Sequence, residues 1–277
     1  MTVLIDAEEL RAASPRPVLL DVRWALGDDR GHERYLGGHL PGAVFVDLDA
    51  ELADPPSAAA GRHPLPSLPR LQESARRWGL GDGDAVVVYD ASSGTAAARA
   101  WWLLRWAGVA DVRLLDGGLA AWQRAGGDLE RGEVVPEPGD VMLTGGGLPT
   151  LDPDAAAALP GGGGVLLDAR AGERYRGETE PVDPRAGHVP GAVSAPTTEN
   201  LDADGRFLPV AALSERFAAL GVRPGTAVGV YCGSGVTAAH EVAALAVAGI
   251  DAVLWPGSWS QWSAEPARPA ATGPDPG

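Results

Sequence analysis

The chain carries a single cysteine, Cys232, in the stretch VGVYCGSGVTAAH that spans residues 228–240. A short apolar run precedes it, and a Gly- and hydroxyl-rich hexad follows before the residues turn helical in character. Successive backbone N–H groups in a tight loop that opens a helix converge on one point, and the helix dipole reinforces them. Gly233 and Gly235 let the backbone bend, Ser234 and Thr237 add hydroxyl donors, and Val236 leads into the helix. A sulfur at the centre of such an anion nest is favoured as the thiolate, which is the nucleophilic form. The same nest suits a terminal persulfide anion on that sulfur. The competing reading is a buried cysteine packed as a small apolar residue. Phosphoester cleavage at a similar loop needs a Cys-x5-Arg pattern, whose arginine clamps the phosphate with two bonds. Here the sixth residue after Cys232 is Ala238, and no arginine occurs from 224 to 262, which argues against a phosphatase.

The elements that must position this loop are visible as alternating patterns. PVLLDV, AVFV, AVVVY and VRLL in the first half, and GVLLDA, AVSA, AVGVY and AVLW in the second, read as buried strands. LPSLPRLQESARRWGL, GTAAARAWWLLRWAG and GGLAAWQRAG read as helices between and after strands. This alternation predicts α/β domains, each a mainly parallel sheet with helices on both faces. Ligands of such sheets sit at the carboxyl ends of the strands, where Cys232 falls.

The pattern occurs twice. Residues 18–49 and 165–196 both open on Asp-x-Arg, as Asp21–Arg23 and Asp168–Arg170, and both later read Gly-His-x-Pro-Gly-Ala-Val. Residues 84–122 and 226–262 match in the same order. A tandem duplication follows, with an N-terminal domain over 1–130, a Pro- and Gly-rich linker over 131–149, a C-terminal domain over 150–265 and a mobile tail over 266–277.

With these motifs in hand, the chain resembles the two-domain rhodanese-type sulfurtransferases over about 1–265. The two Gly-His-x-Pro-Gly segments, the cysteine loop and GERYRGETEP carry the resemblance. It implies tandem rhodanese-like domains in which the N-terminal copy is catalytically silent. Asp90, in YDASSGT, takes the place of Cys232 there and cannot carry a sulfane sulfur. The loop Cys232–Thr237 is similar to that of 3-mercaptopyruvate-type members, whereas thiosulfate-favouring members often have a cationic Cys-Arg-Lys-Gly loop. The resemblance therefore implies a Cys232 persulfide loaded from 3-mercaptopyruvate and unloaded onto a thiol or cyanide. Thiosulfate as donor, or a persulfide carrier with little turnover alone, are the alternatives. A thioredoxin-like reductant is a candidate partner, and no metal or organic cofactor is implied.

The neutral loop needs cations from elsewhere. By resemblance, the arginines that recognise a donor carboxylate fall on Arg174 and Arg185, with Arg176 as competitor for the second. An acid–base relay in mercaptopyruvate-type members maps onto Ser234, His39 and an aspartate at 28 or 29, with Asp29 taken as the candidate. Such a relay suits a reaction in which a thiol loses a proton and an enolate gains one. The opposing reading makes His39 a loop-fixing residue, as His188 is expected to be in the second copy. His32, His63 and His240 show no metal-ligand pattern. Trp101, Trp102 and Trp106 are expected in the core, and Trp255, Trp259 and Trp262 close to the site.

Composition bounds the rest. A chain of 277 residues with 45% apolar content accommodates two cored domains. One cysteine excludes an intramolecular disulfide and fits a reducing cytoplasm. The formal charge of −15 argues against nucleic-acid binding. No apolar run reaches membrane-spanning length, and the opening residues lack a secretory pattern.

Overall fold

The computed structural model describes residues 2–277. The chain forms two compact units. One comprises residues 1–54, 65–148 and 203–207, and the other 55–64, 149–202 and 208–277. Each unit thus contains a short segment from the other half of the sequence. The loop 55–64, in the N-terminal half, belongs to the unit that holds Cys232.

In the first unit, β1 (Leu4–Ile5), β2 (Val18–Asp21), β3 (Val44–Phe45), β4 (Val86–Tyr89) and β5 (Val112–Leu115) form a sheet in the order β1-β5-β4-β2-β3. All of its pairings are parallel. In the second unit, β6 (Val165–Asp168), β7 (Val193–Ser194), β8 (Val228–Tyr231) and β9 (Val253–Leu254) form a parallel sheet in the order β7-β6-β8-β9. Equivalent strands occupy equivalent places in the two sheets. The counterpart of β1 shrinks to one parallel bridge, Thr150 with Leu254.

Burial explains why the central strands are unbroken apolar runs. All four residues of β4 and of β8 are buried, because helices cover a parallel sheet on both sides. The helix Ala97–Trp106 packs on β4 and β5, and the helix Thr237–Val247 on β8 and β9. Another core face of the first unit gathers Ile5, Leu10, Leu19, Leu40, Tyr89 and Trp122. Its counterpart in the second gathers Leu166, Val189, Tyr231, Trp255, Trp259 and Trp262. Trp101 and Trp102 are buried, as expected, whereas Trp106 is only half-buried.

The two Asp-x-Arg motifs are buried forks. Arg23 Nε and Nη2 donate to Asp21 at 2.9 and 2.8 Å, and Nη2 also donates to the Gly38 carbonyl. Arg170 repeats this on Asp168 at 3.0 and 2.6 Å and on the Gly187 carbonyl. Each motif ties the end of a strand to the loop that enters the Gly-His-x-Pro-Gly segment.

The stretch read as a linker and the stretch read as a mobile tail both make regular backbone contacts. The 131–149 stretch runs along the first unit, with Gly139 N–H on Arg76 O and Val141 N–H on Leu80 O, and Val141 and Leu143 are buried. The closing residues are not a free tail. Ala271 and His188 exchange backbone hydrogen bonds at 2.9 Å, Gly273 N–H meets Arg176 O, and Trp262 Nε1 donates to Pro269 O. The Pro and Gly content that suggested mobility instead removes donors and permits the turns of a segment laid along the surface.

Candidate active site

Cys232 follows β8 directly and is 1% exposed. Its backbone is fixed on both sides. The N–H donates to Ser258 Oγ at 3.1 Å, and the carbonyl accepts from Trp259 N–H at 3.0 Å. Ser258 adopts a left-handed φ of 54° and passes its own hydroxyl proton to the Trp255 carbonyl. The segment after β9 is therefore a buttress for the cysteine loop, and Ser260 N–H extends it by bonding the Gly233 carbonyl at 2.9 Å.

The loop then turns so that Gly235 N–H points at Cys232 Sγ, 3.1 Å away. Gly235 sits at φ 76°, and a Cβ there would lie 2.4 Å from the Pro256 carbonyl oxygen, so only glycine fits. Val236 is buried, and Thr237 is the first residue of the following helix. The first unit shows what such a loop does for an anion. There the Asp90 carboxylate accepts four backbone N–H groups, from Ser92 and Gly94 on one oxygen and Ala96 and Ala97 on the other, at 2.7 to 3.1 Å. A carboxylate occupies the nest in that copy and a sulfur in the other.

Two guanidiniums flank the loop. A Cβ built on Gly233 would lie 3.0 Å from Arg62 Nη2 and 3.4 Å from Arg174 Nη1. Arg174 donates to Glu180 at 2.7 Å and to Asp183 at 3.3 Å. Arg62 pairs with the other oxygen of Asp183, and its backbone N–H is held by Ser260 Oγ at 3.1 Å. The Nε atoms of Arg62 and Arg174 are buried without a hydrogen-bond partner, which leaves each a donor. Beside them lies a cavity of about 340 Å³ lined by Pro56, Arg62, Val182, Asp183, Pro184 and Ser260, among others.

Burial pushes the Asp183 carboxyl above its usual range, with the Arg62 guanidinium opposing and Glu180 adding to the rise. The other acids and bases near the loop are Ser234 and His63. His63 Nδ1 stands 2.7 Å from Ser234 Oγ, and both residues are buried.

Among the expected site residues, Cys232, Gly233, Ser234, Gly235, Val236 and Thr237 form one loop, and Arg174 stands against it. Arg185 does not serve as a free guanidinium. Its Nε and Nη atoms donate to four backbone carbonyls, of Ser263, Arg268, Trp262 and Glu265, at 2.7 to 3.0 Å. It clamps the end of the chain, and Arg62 takes the place expected for it. Arg176 pairs with Glu178 at the surface.

The relay expectation also changes. Both ring nitrogens of His39 face backbone carbonyls, of Leu40 at 2.9 Å and Gly132 at 3.0 Å, and the ring stacks on Tyr35. His188 does the same with Tyr175 O and Pro276 O while stacking on Tyr175. These two histidines are matched loop fasteners, and the imidazole on Ser234 is that of His63. Asp28 pairs with Arg34, which holds its carboxyl below the usual range, and Asp29 is exposed.

Arg62 and His63 escape a reading of the local motifs because they come from the other half of the sequence. A signal for them exists in the repeat: Gly61-Arg62-His63 is mirrored by Gly205-Arg206-Phe207, so the histidine is present only in the segment that belongs with the cysteine. Trp259 serves the site through its backbone, with Arg170 lying 4.8 Å over its ring. Among the described residues no cluster of potential metal ligands occurs.

Tandem parallel sheets, each with a tight loop and a helix after its central strand, define the class of protein. The rhodanese-like domain family matches residues 6–125 and 152–265, and the chain belongs to that family. A putative thiosulfate sulfurtransferase of Mycobacterium tuberculosis is 52% identical over 98% of this chain and 97% of its own length. A probable 3-mercaptopyruvate sulfurtransferase of Pseudomonas aeruginosa is 49% identical over 98% of both chains. The crystal structure of a 3-mercaptopyruvate sulfotransferase from Escherichia coli superposes with a TM-score of 0.82 at 33% identity, covering 94% of this chain and 100% of that one.

Proposed function

We propose that the chain is a sulfurtransferase that carries a sulfane sulfur on Cys232, taken from a small anionic donor. The observation that carries this reading is the loop itself: a lone buried sulfur with Gly235 N–H directed at it and two guanidiniums over Gly233. In the first half-reaction the Cys232 thiolate attacks the outer sulfur of the donor. With thiosulfate, the S–S bond breaks and sulfite leaves with the electron pair. With 3-mercaptopyruvate, the C–S bond breaks, pyruvate leaves as its enolate, and the proton given up by the donor's thiol must be delivered to carbon. The Ser234–His63 pair stands where it can move that proton. In the second half-reaction cyanide or a thiol attacks the outer sulfur of the persulfide and restores the Cys232 thiolate, which makes a ping-pong cycle.

Thiosulfate is supported as donor by the relative of 52% identity. 3-Mercaptopyruvate is supported by the uncharged loop and by the relative of 49% identity. We take both as donors, on the likeness of the whole chain to both relatives.

The test is intact-protein mass spectrometry after exposure to each donor, followed by steady-state turnover with cyanide. The expected result is a gain of one sulfur on the wild type, its loss on adding cyanide, and neither in Cys232→Ser. A wild-type protein that takes up no sulfur from either donor overturns the reading.

A further inference from the structure

The two arginines over the cysteine loop are each paired with buried carboxylates. Asp183 bridges them, one carboxylate oxygen on Arg62 and the other 3.3 Å from Arg174 Nη2, and its side chain is only 3% exposed. Glu180, 5% exposed, takes Arg174 at 2.7 Å and also accepts the backbone N–H groups of Val182 and Asp183, which fixes the bridge in place. The nearby Arg170 adds no free charge, because Asp168 holds it at 2.6 Å. Two guanidiniums therefore face two carboxylates, and their charges cancel next to the nucleophile.

Any anion that reaches the arginines must share their N–H groups with a buried carboxylate. In a partly buried setting a charge a few ångströms away is felt strongly, and a dianion feels it twice as much as a monoanion. Thiosulfate is a compact dianion, and 3-mercaptopyruvate presents one carboxylate. We propose that Asp183 is a specificity-determining residue whose carboxylate, by bridging Arg62 and Arg174, discriminates between donor anions according to charge and disfavours dianions. This rests on the sulfur transfer at Cys232 proposed above. It adds that the selection lies in the counter-charge on the arginines, not in the arginines alone.

The experiment compares kcat/KM for thiosulfate and for 3-mercaptopyruvate, with cyanide as common acceptor, in the wild type, Asp183→Asn and Asp183→Glu. The thiosulfate-to-mercaptopyruvate ratio is expected to rise by about tenfold or more in Asp183→Asn, which removes one charge and keeps the shape. In Asp183→Glu the ratio is expected to stay within about threefold of the wild type, because the charge is retained. A folded Asp183→Asn with an unchanged ratio overturns the inference, as does an Asp183→Glu that moves the ratio as far as Asp183→Asn. If Asp183→Asn does not fold, Glu180→Gln carries the test. It is expected to move the ratio in the same direction, and an unchanged ratio there overturns the inference too. Sulfur uptake by the wild type, read by mass, separates the two levels: uptake with an unmoved ratio refutes the role of Asp183 and leaves the sulfurtransferase reading standing.

Discussion

Replacing Gly235 with alanine tests the site at its tightest point. The residue holds φ 76°, and an added Cβ would stand 2.4 Å from Pro256 O and 3.0 Å from Pro256 Cα, both backbone atoms that cannot swing aside. A left-handed backbone costs a non-glycine residue about 1–2 kcal/mol. Forcing a methyl group into a packed site adds about 1–3 kcal/mol. The sum, about 2–5 kcal/mol, is a large share of the stability of an ordinary domain. Relief comes by moving the loop away from Pro256, which pulls Gly235 N–H off Cys232 Sγ. Gly235→Ala is thus expected to lower the melting temperature by several degrees and to cut the rate of sulfur uptake, with donor KM changing less than kcat. Differential scanning calorimetry and single-turnover mass spectrometry read the two effects. Gly233→Ala is the control. Its Cβ would meet only the ends of Arg62 and Arg174, which can shift, so it is expected to melt near the wild type while raising KM for donor. A Gly235→Ala protein with wild-type melting and wild-type sulfur uptake would refute the geometry assigned to the loop.

His63→Ala is expected to slow turnover of 3-mercaptopyruvate by about 100-fold or more and that of thiosulfate far less, because only the enolate needs a proton at carbon; parallel kinetics with both donors check it. Arg185→Met is expected to destabilise the protein by about 2–5 kcal/mol through loss of its bonds to four carbonyls, with donor KM unchanged, whereas Arg174→Met is expected to raise donor KM and also to lower melting, because it strands the buried carboxylates of Glu180 and Asp183. Urea unfolding and steady-state assays distinguish them. The carboxyl of Asp183, faced by Arg62, Arg174, Glu180 and Arg170, is raised by burial and so takes up its proton at a higher pH than an exposed aspartate. Protonation removes a negative charge, so the thiosulfate-to-mercaptopyruvate ratio is expected to climb as pH falls through the raised Asp183 titration, and to climb less in Asp183→Asn. Paired pH profiles read it.

The strands were legible because a sheet covered on both faces demands continuous apolar runs, and VVVY and VGVY are that signature. Strand β1 was not, since Leu4–Ile5 is only two residues long and no pattern fits in it. The cysteine loop was legible because its donors are neighbours in sequence. Arg62 and His63 were not, because His63 meets Ser234 across 171 positions, and only a comparison of the two copies marks them. Arg185 shows the opposite failure. Its motif is local and visible, yet nothing in a sequence states that a guanidinium is occupied by four carbonyls. His39 was ambiguous for a related reason: the Gly-His-x-Pro-Gly context is shared by both copies, and a feature common to a half with a cysteine and a half without one points to architecture before chemistry.

The exchange of short segments between the units has a consequence for how this duplication can be undone. Residues 55–64 bring Arg62 and His63 to the unit with Cys232, while residues 203–207 belong with the opposite one. A fragment beginning at residue 150 would keep Cys232 but forfeit one of its two flanking cations and the imidazole on Ser234. A single cut between the two halves of the sequence therefore parts Cys232 from Arg62 and His63, and a divided form of the chain keeps this set together only if residues 55–64 travel with the C-terminal half.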